Sequence, residues 1–143
     1  MSVADASTVE ARRVGLLRLE GDVTFVTGAS GGLGSSIAEA FALEGADVVC
    51  AHATADEREE ALKTVAAVEA AGRRALLVEC DVSSEESVVA AMAAVEVEFG
   101  NLDVLVAVAG IGRMAPFLET KTADFKAVHD VVSKVSCPAV DSS

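Results

Sequence analysis

Thr27-Gly28-Ala29-Ser30-Gly31-Gly32-Leu33-Gly34 is the stretch of this 143-residue chain whose residue types and spacing best suit chemistry. It follows the apolar run Val23-Thr24-Phe25-Val26 and opens an amphipathic segment that begins near Gly32. The order is strand, glycine turn, helix start. Glycines let a backbone turn tightly and come close to phosphates, while a helix N-terminus offers free N–H groups and the positive end of its dipole. The stretch therefore suits a nucleotide pyrophosphate. Groups for making and breaking bonds are scarcer. The chain has no tyrosine, and its three cysteines, Cys50, Cys80 and Cys137, lack metal-type spacing. Neither His52 nor His129 sits in a ligand motif. The sequence speaks more clearly about binding than about catalysis.

The elements that must position the turn are legible from composition and pattern. Apolar residues make up 52% of the chain and aromatics only 3%, so the core must be built from Val, Ala, Leu and Ile. That suits buried parallel strands covered by helices within one domain. The formal charge of -12 disfavours nucleic acid as a partner, because phosphate-backbone binding relies on clustered Lys and Arg. Backbone amides can still hold an anionic cofactor locally, and the acidic excess reads as solubility. The cysteine pattern suggests reduced thiols and a cytoplasmic protein. The start Met1-Ser2-Val3-Ala4-Asp5 carries no signal-peptide pattern, and no stretch approaches the ~20 apolar residues of a membrane span.

Residues 1–20 read as a polar leader with a short helical turn around Val9–Leu17. Strands are expected at Asp22–Thr27, Val48–Ala51, Ala75–Cys80 and Val104–Val108. Helices are expected at Gly32–Leu43, with Leu33, Ile37, Ala40 and Phe41 on one face, and at Asp56–Ala71. A third helix, capped by Ser83 or Ser84, has Glu85 and Glu86 in its first turn and a stripe of Val88, Met92, Val95 and Phe99. A last helix over Thr122–Val135 is stopped by Pro138, and 137–143 read as a frayed tail. Strands alternating with helices predict an α/β fold: three Rossmann-like layers, a parallel sheet of about four strands, and helices on both faces. The folded unit is expected over 21–136.

The spacing Thr27-Gly28-x-x-x-Gly32-x-Gly34 resembles the TGxxxGxG turn of the short-chain dehydrogenase/reductase family. Leu19-Glu20-Gly21-Asp22-Val23 is similar to the family's entry to its first strand, and Cys80-Asp81-Val82 to the Asp-Val after its third. Leu102–Gly110 is similar to the segment that normally ends in Asn-Asn-Ala-Gly. Together these cover about residues 19–134, the N-terminal half of the family's usual domain. The resemblance implies the strand order 3-2-1-4 and an NAD(P) cofactor. It implies that Gly28, Gly32 and Gly34 shape the pyrophosphate turn, with the Leu33 amide facing the phosphates and Ser30 near the adenosine ribose. Asp81 would contact the adenine amino group beside the Val82 amide, and Ala109 and Gly110 would line the cofactor. Other readings stay open: an ordinary tight turn for the glycines, a helix cap for Asp81, and a plain turn for Ala109-Gly110.

Cofactor choice is read at the end of the second strand, where an acidic residue selects the 2′-hydroxyl of NAD. By alignment that position is His52, followed by Ala53. The lack of a carboxylate leans the reading towards NADP, although the family's usual basic residue in the turn is Gly31 here. Arg58 is the one candidate partner for a 2′-phosphate, with a solvated helix position as the alternative.

Three departures bear on catalysis. Ala107-Val108 stand where the family has two asparagines, and Val132 stands at the asparagine of its catalytic tetrad. The family's Ser and Tyr-x-x-x-Lys would lie beyond Ser143, so the expectation is a truncated cofactor-binding half, inactive alone, with no catalytic residue assigned. The alternative is a non-catalytic dinucleotide-binding or interaction module. In either case strand 104–108 would be an open apolar edge beside an exposed last helix, which predicts self-association.

Overall fold

The computed structural model describes residues 18–134 apart from Arg113. Strand β1 (Val23–Thr27) leads through the glycine turn into helix α1 (Gly32–Leu43). Strand β2 (Asp47–His52) is followed by a 3-10 turn (Ala55–Glu57) and helix α2 (Arg58–Ala70). Strand β3 (Ala75–Glu79), helix α3 (Glu85–Phe99) and strand β4 (Val104–Ala107) come next. A 3-10 turn (Phe117–Glu119) and helix α4 (Thr122–Lys134) complete the described chain. The four strands form one sheet, parallel as the alternating pattern predicts and in the order β3-β2-β1-β4 that the family resemblance implied. The helical turn expected at Val9–Leu17, the end of the last helix at Val135 and the tail at 137–143 lie outside the described residues.

β1 is buried along its whole length because it is central, with β2 on one side and β4 on the other. Its side chains alternate between two cores. Val23 and Phe25 join Val49, Ala51, Val88, Ala91 and Val95 on the α3 face. Val26 joins Val48, Cys50, Ala38, Ala42 and Val68 on the face covered by α1 and α2. Apart from Phe25 and the two cysteines, the buried members of both cores are Val and Ala, in keeping with the scarcity of aromatics.

Acidic side chains hold the amino ends of the strands. The Val23 amide donates to Asp103 Oδ2 at 2.8 Å, and the Arg74 amide donates to Asp47 Oδ1 at 3.0 Å. Arg74 also pairs with Glu98 at 2.6 Å and lies 4.5 Å above the Phe99 ring, tying the end of α3 to the sheet. Ser84 caps α3 by accepting from the Ser87 amide, and Glu85 and Glu86 occupy its first turn.

Two helix faces differ from the sequence expectation. α1 buries Gly34, Ala38 and Ala42, while Leu33 is 68% exposed and Ala40 also faces out. α1 is apolar almost all round, so periodicity alone does not select a face; the smallest residues turn inward because they let the helix lie closest to the sheet. α3 likewise centres its contact on Val88, Ala91 and Val95, with Met92 and Phe99 packed at the margin. β4 stops at Ala107 rather than Val108. The amides of Val108 and Ala109 leave the ladder and both donate to Thr27 Oγ1 at 3.0 Å.

Cys50 and Cys80 are buried free thiols. Burial pushes Cys50 up to about 12. Burial, with the Asp81 charge adding to it, pushes Cys80 up to about 11. A free thiol ionises near 8.5, so the folded state keeps protons that the unfolded chain releases above that pH. This contribution to stability is complete below about pH 8.5 and is lost as pH rises towards the folded values. Melting temperature followed by circular dichroism from pH 7 to 10 should fall progressively above about pH 8.5. Cys50 should resist iodoacetamide at pH 8 until denaturant is added; rapid labelling of Cys50 in the native chain would contradict its placement.

Candidate functional site

The glycine turn is fixed from three sides. The Ala29 amide donates to the Ala51 carbonyl at 2.9 Å, continuing the β1–β2 ladder past Thr27. From α2, buried Thr64 donates its hydroxyl to the Ala29 carbonyl at 2.7 Å. From the β4 side, Ala109 lies so near Gly28 that a Cβ there would stand 3.1 Å from Ala109 Cα. Gly28 also has φ +67, a backbone region that side chains disfavour. The tightest approach is inside the turn: a Cβ on Gly34 would stand 2.1 Å from the Gly28 carbonyl oxygen. The start of α1 thus rests directly on the end of β1.

The first turn of α1 is kept open to an anion. Its N-cap is Gly31, which supplies no side-chain cap, and no acidic residue occupies the first turn. The hydroxyls of Ser35 and Ser36 turn back to the Gly32 carbonyl. The contrast with α3, which has a serine cap and two glutamates, is physical. The free N–H groups and dipole of α3 are already answered, while those of α1 are aimed at the cleft.

That cleft, about 340 Å³ in volume, opens at the carboxyl ends of β1 and β4, where the strand order reverses. Open α/β sheets bind ligands at such a point. Gly28, Ser30, Gly31, Leu33 and Gly34 line one wall, and Asp81, Val82, Ala109 and Gly110 line others. Nine of the sequence-derived positions therefore converge. Gly32 opens α1 beside the cleft without lining it. Asp81 is exposed, and its Oδ1 accepts from both the amide and hydroxyl of Ser83 at 2.9 and 2.7 Å. It shapes the loop before α3, while the cap itself is Ser84.

His52 is the position that the fold moves elsewhere. Its ring is fully buried, with Nδ1 donating to the Thr54 carbonyl at 2.8 Å, and it does not line the cleft. The alternation of β2 sends it inward with Val48 and Cys50. Ala53 and Glu57 line the cleft instead. The Glu57 carboxylate accepts from the Ala53 amide at 3.0 Å and from the Ser30 hydroxyl at 3.2 Å. A carboxylate thus lines the cleft although none stands at the end of β2. The available signal was Thr54-x-x-Glu57, a capping-box pattern whose glutamate reaches back over the preceding loop. Arg58 is exposed on α2 and does not line the cleft. Thr27 also went unassigned; its hydroxyl oxygen holds the Val108 and Ala109 amides that form the β4 wall.

The comparisons with known proteins agree with this geometry. Residues 22–136 match the family model described as short chain dehydrogenase. The chain is 41% identical over 108 residues to D-threitol dehydrogenase of Mycolicibacterium smegmatis, covering 76% of this chain and 40% of that protein. It resembles the crystal structure of a short chain dehydrogenase from Burkholderia cenocepacia in complex with NADP. There the TM-score is 0.78 and the identity 36%, covering 87% of this chain and 50% of that one. The NAD+-bound xylitol dehydrogenase structure matches with a TM-score of 0.74 and 32% identity, covering 82% of this chain and 45% of that one. The chain thus spans about half the length, or less, of these relatives.

A Gly34→Ala substitution should drive α1 off the turn and cost about 2 kcal/mol or more, since its Cβ meets backbone that has nowhere to move. Gly32→Ala, where a Cβ meets nothing within 4 Å, should fold like the parent chain. Urea denaturation of the two variants side by side checks this, and equal midpoints would refute the close approach.

Proposed function

This chain belongs to the short-chain dehydrogenase family, and on that premise we propose that it is the dinucleotide-binding half of an NAD(P)-dependent oxidoreductase. We propose 21–136 as the extent of the dinucleotide-binding unit; Arg18 and Leu19, ahead of it, bond to Glu44 at the end of α1. The observation that carries the reading is the cleft at the strand-order reversal, walled by the uncapped start of α1, Asp81-Val82 and Ala109-Gly110. The residues fit the cofactor's adenosine and pyrophosphate. The Gly32, Leu33 and Gly34 amides would hold the pyrophosphate, the Gly31 amide being bonded to the Gly28 carbonyl, and Asp81 with the Val82 amide would meet the adenine. Bound nicotinamide supplies hydride exchange with a carbonyl or alcohol. The D-threitol and xylitol dehydrogenases among its relatives support an alcohol or carbonyl as the substrate class. A cytoplasmic location is consistent with two buried free thiols. Among the described residues, no helix is long and apolar enough to cross a membrane.

By itself this chain is proposed to bind without turning over. It has no tyrosine to move the substrate proton, and Ala107 and Val108 stand where the family carries side-chain amides. A second reading, a non-catalytic dinucleotide-binding or interaction module, is favoured by the way the β4 end is held. Thr27 Oγ1 takes both following amides, so backbone bonding organises that wall without asparagine side chains. Calorimetric titration of the purified chain should detect binding of a reduced dinucleotide, weakened about tenfold by Asp81→Ala, with no carbonyl reduction. Turnover by the 143-residue chain would refute the non-catalytic expectation. Absence of any dinucleotide binding by folded protein would refute the reading as a whole.

Self-association is proposed through β4, the sheet edge, and α4, on which Phe125 is 69% and Val132 51% exposed. Unpaired strand edges recruit further strands. Light scattering at tens of micromolar, a working range for such association, should report species larger than a monomer, and a clean monomer would count against this contact.

A further inference from the structure

Resting on the dinucleotide reading above, we propose that Glu57 sets the chain's choice of cofactor, admitting the free 2′-hydroxyl of NAD(H) and rejecting the 2′-phosphate of NADP(H). Glu57 reaches the cleft from a position five residues past the end of β2, outside the strand end where such a carboxylate is sought. Its carboxylate is held in place from both sides of the turn. The Ala53 amide, just after β2, and the Ser30 hydroxyl, in the glycine turn, both donate to Oε2. Among the described residues Oε1 has no partner, which leaves it to accept from a ribose hydroxyl. Ala53 offers no polar side chain, and the His52 ring points into the core, so among the described residues Glu57 is the charged group at this corner, beside the Ser30 hydroxyl. The other charged group in the described lining is Asp81, also acidic, and Arg58 does not line the cleft. A 2′-phosphate would therefore meet the Glu57 carboxylate in a cleft whose described lining holds no cation.

Glu57 has a second, purely structural part: fixing the loop by accepting the Ala53 amide. Glu57→Gln separates the two, because its amide oxygen can still accept while the charge is gone. The full chain, parent and Glu57→Gln, is titrated with NADH and with NADPH, and melting is followed in parallel. The parent should bind NADH at least ~10-fold tighter than NADPH, and the variant should bring the two affinities within about threefold at an unchanged melting temperature. Raising the salt should narrow the parent's ratio, since the discrimination is charge repulsion at a half-open site. NADPH bound as tightly as NADH by the parent, or an unchanged ratio in a folded variant, overturns the assignment. If the variant melts early, the parent's ratio and its salt response decide. Binding of neither dinucleotide by folded parent overturns the cofactor reading itself, and this assignment with it.

Discussion

Helix α1 can rest on the end of β1 only because Gly34 presents no Cβ to the Gly28 carbonyl. The approach leaves no room for even a methyl group. It brings the free amides and dipole of α1 to the point where β1 and β4 part. Everything else at the site is arranged around that contact: Ala29 is bonded to β2 and α2, and Ala109 abuts Gly28 from the β4 side. A turn so constrained loses little entropy on meeting a ligand, because its backbone is ordered beforehand.

Thr27 links this turn to the opposite wall. Its Oγ1 lies 3.4 Å from the Val106 carbonyl, to which it donates, and accepts from the amides of Val108 and Ala109. One hydroxyl on a central strand thus ends the neighbouring strand and sets where Ala109 and Gly110 begin. The same device accounts for a β4 end that remains ordered without the asparagine side chains of the wider family.

The chain's electrostatics are divided in a way that composition conceals. A net charge of -12 argues against anions in general, yet the first turn of α1 carries no acidic residue and offers backbone donors. A few ångströms of backbone decide where an anion is welcome. Beyond the glycine turn, Glu57 and Asp81 make the lining acidic again. The lining is therefore graded, with backbone donors at the helix start and carboxylates at Glu57 and Asp81.

The parallel sheet, the element boundaries to within a residue or two and the glycine turn between β1 and α1 were legible in the sequence. They depend on local properties: period-2 and period-3.6 patterns, glycine spacing, and the serine and glutamates at the start of α3. The strand order came from the family resemblance. Side-chain direction was not legible where local pattern is degenerate. α1 is apolar on nearly every face, and only packing against the sheet selected Gly34, Ala38 and Ala42. His52 occupies the aligned position, but the alternation of β2, fixed by which face α1 and α2 cover, turned it inward. Glu57 is far from Ser30 in sequence and meets it only when the β1–α1 and β2–α2 turns come together. Sequence by itself determined which backbone could approach a phosphate, because that depends on missing side chains. Only the tertiary structure decided which charge lines the cleft, because that depends on two loops meeting.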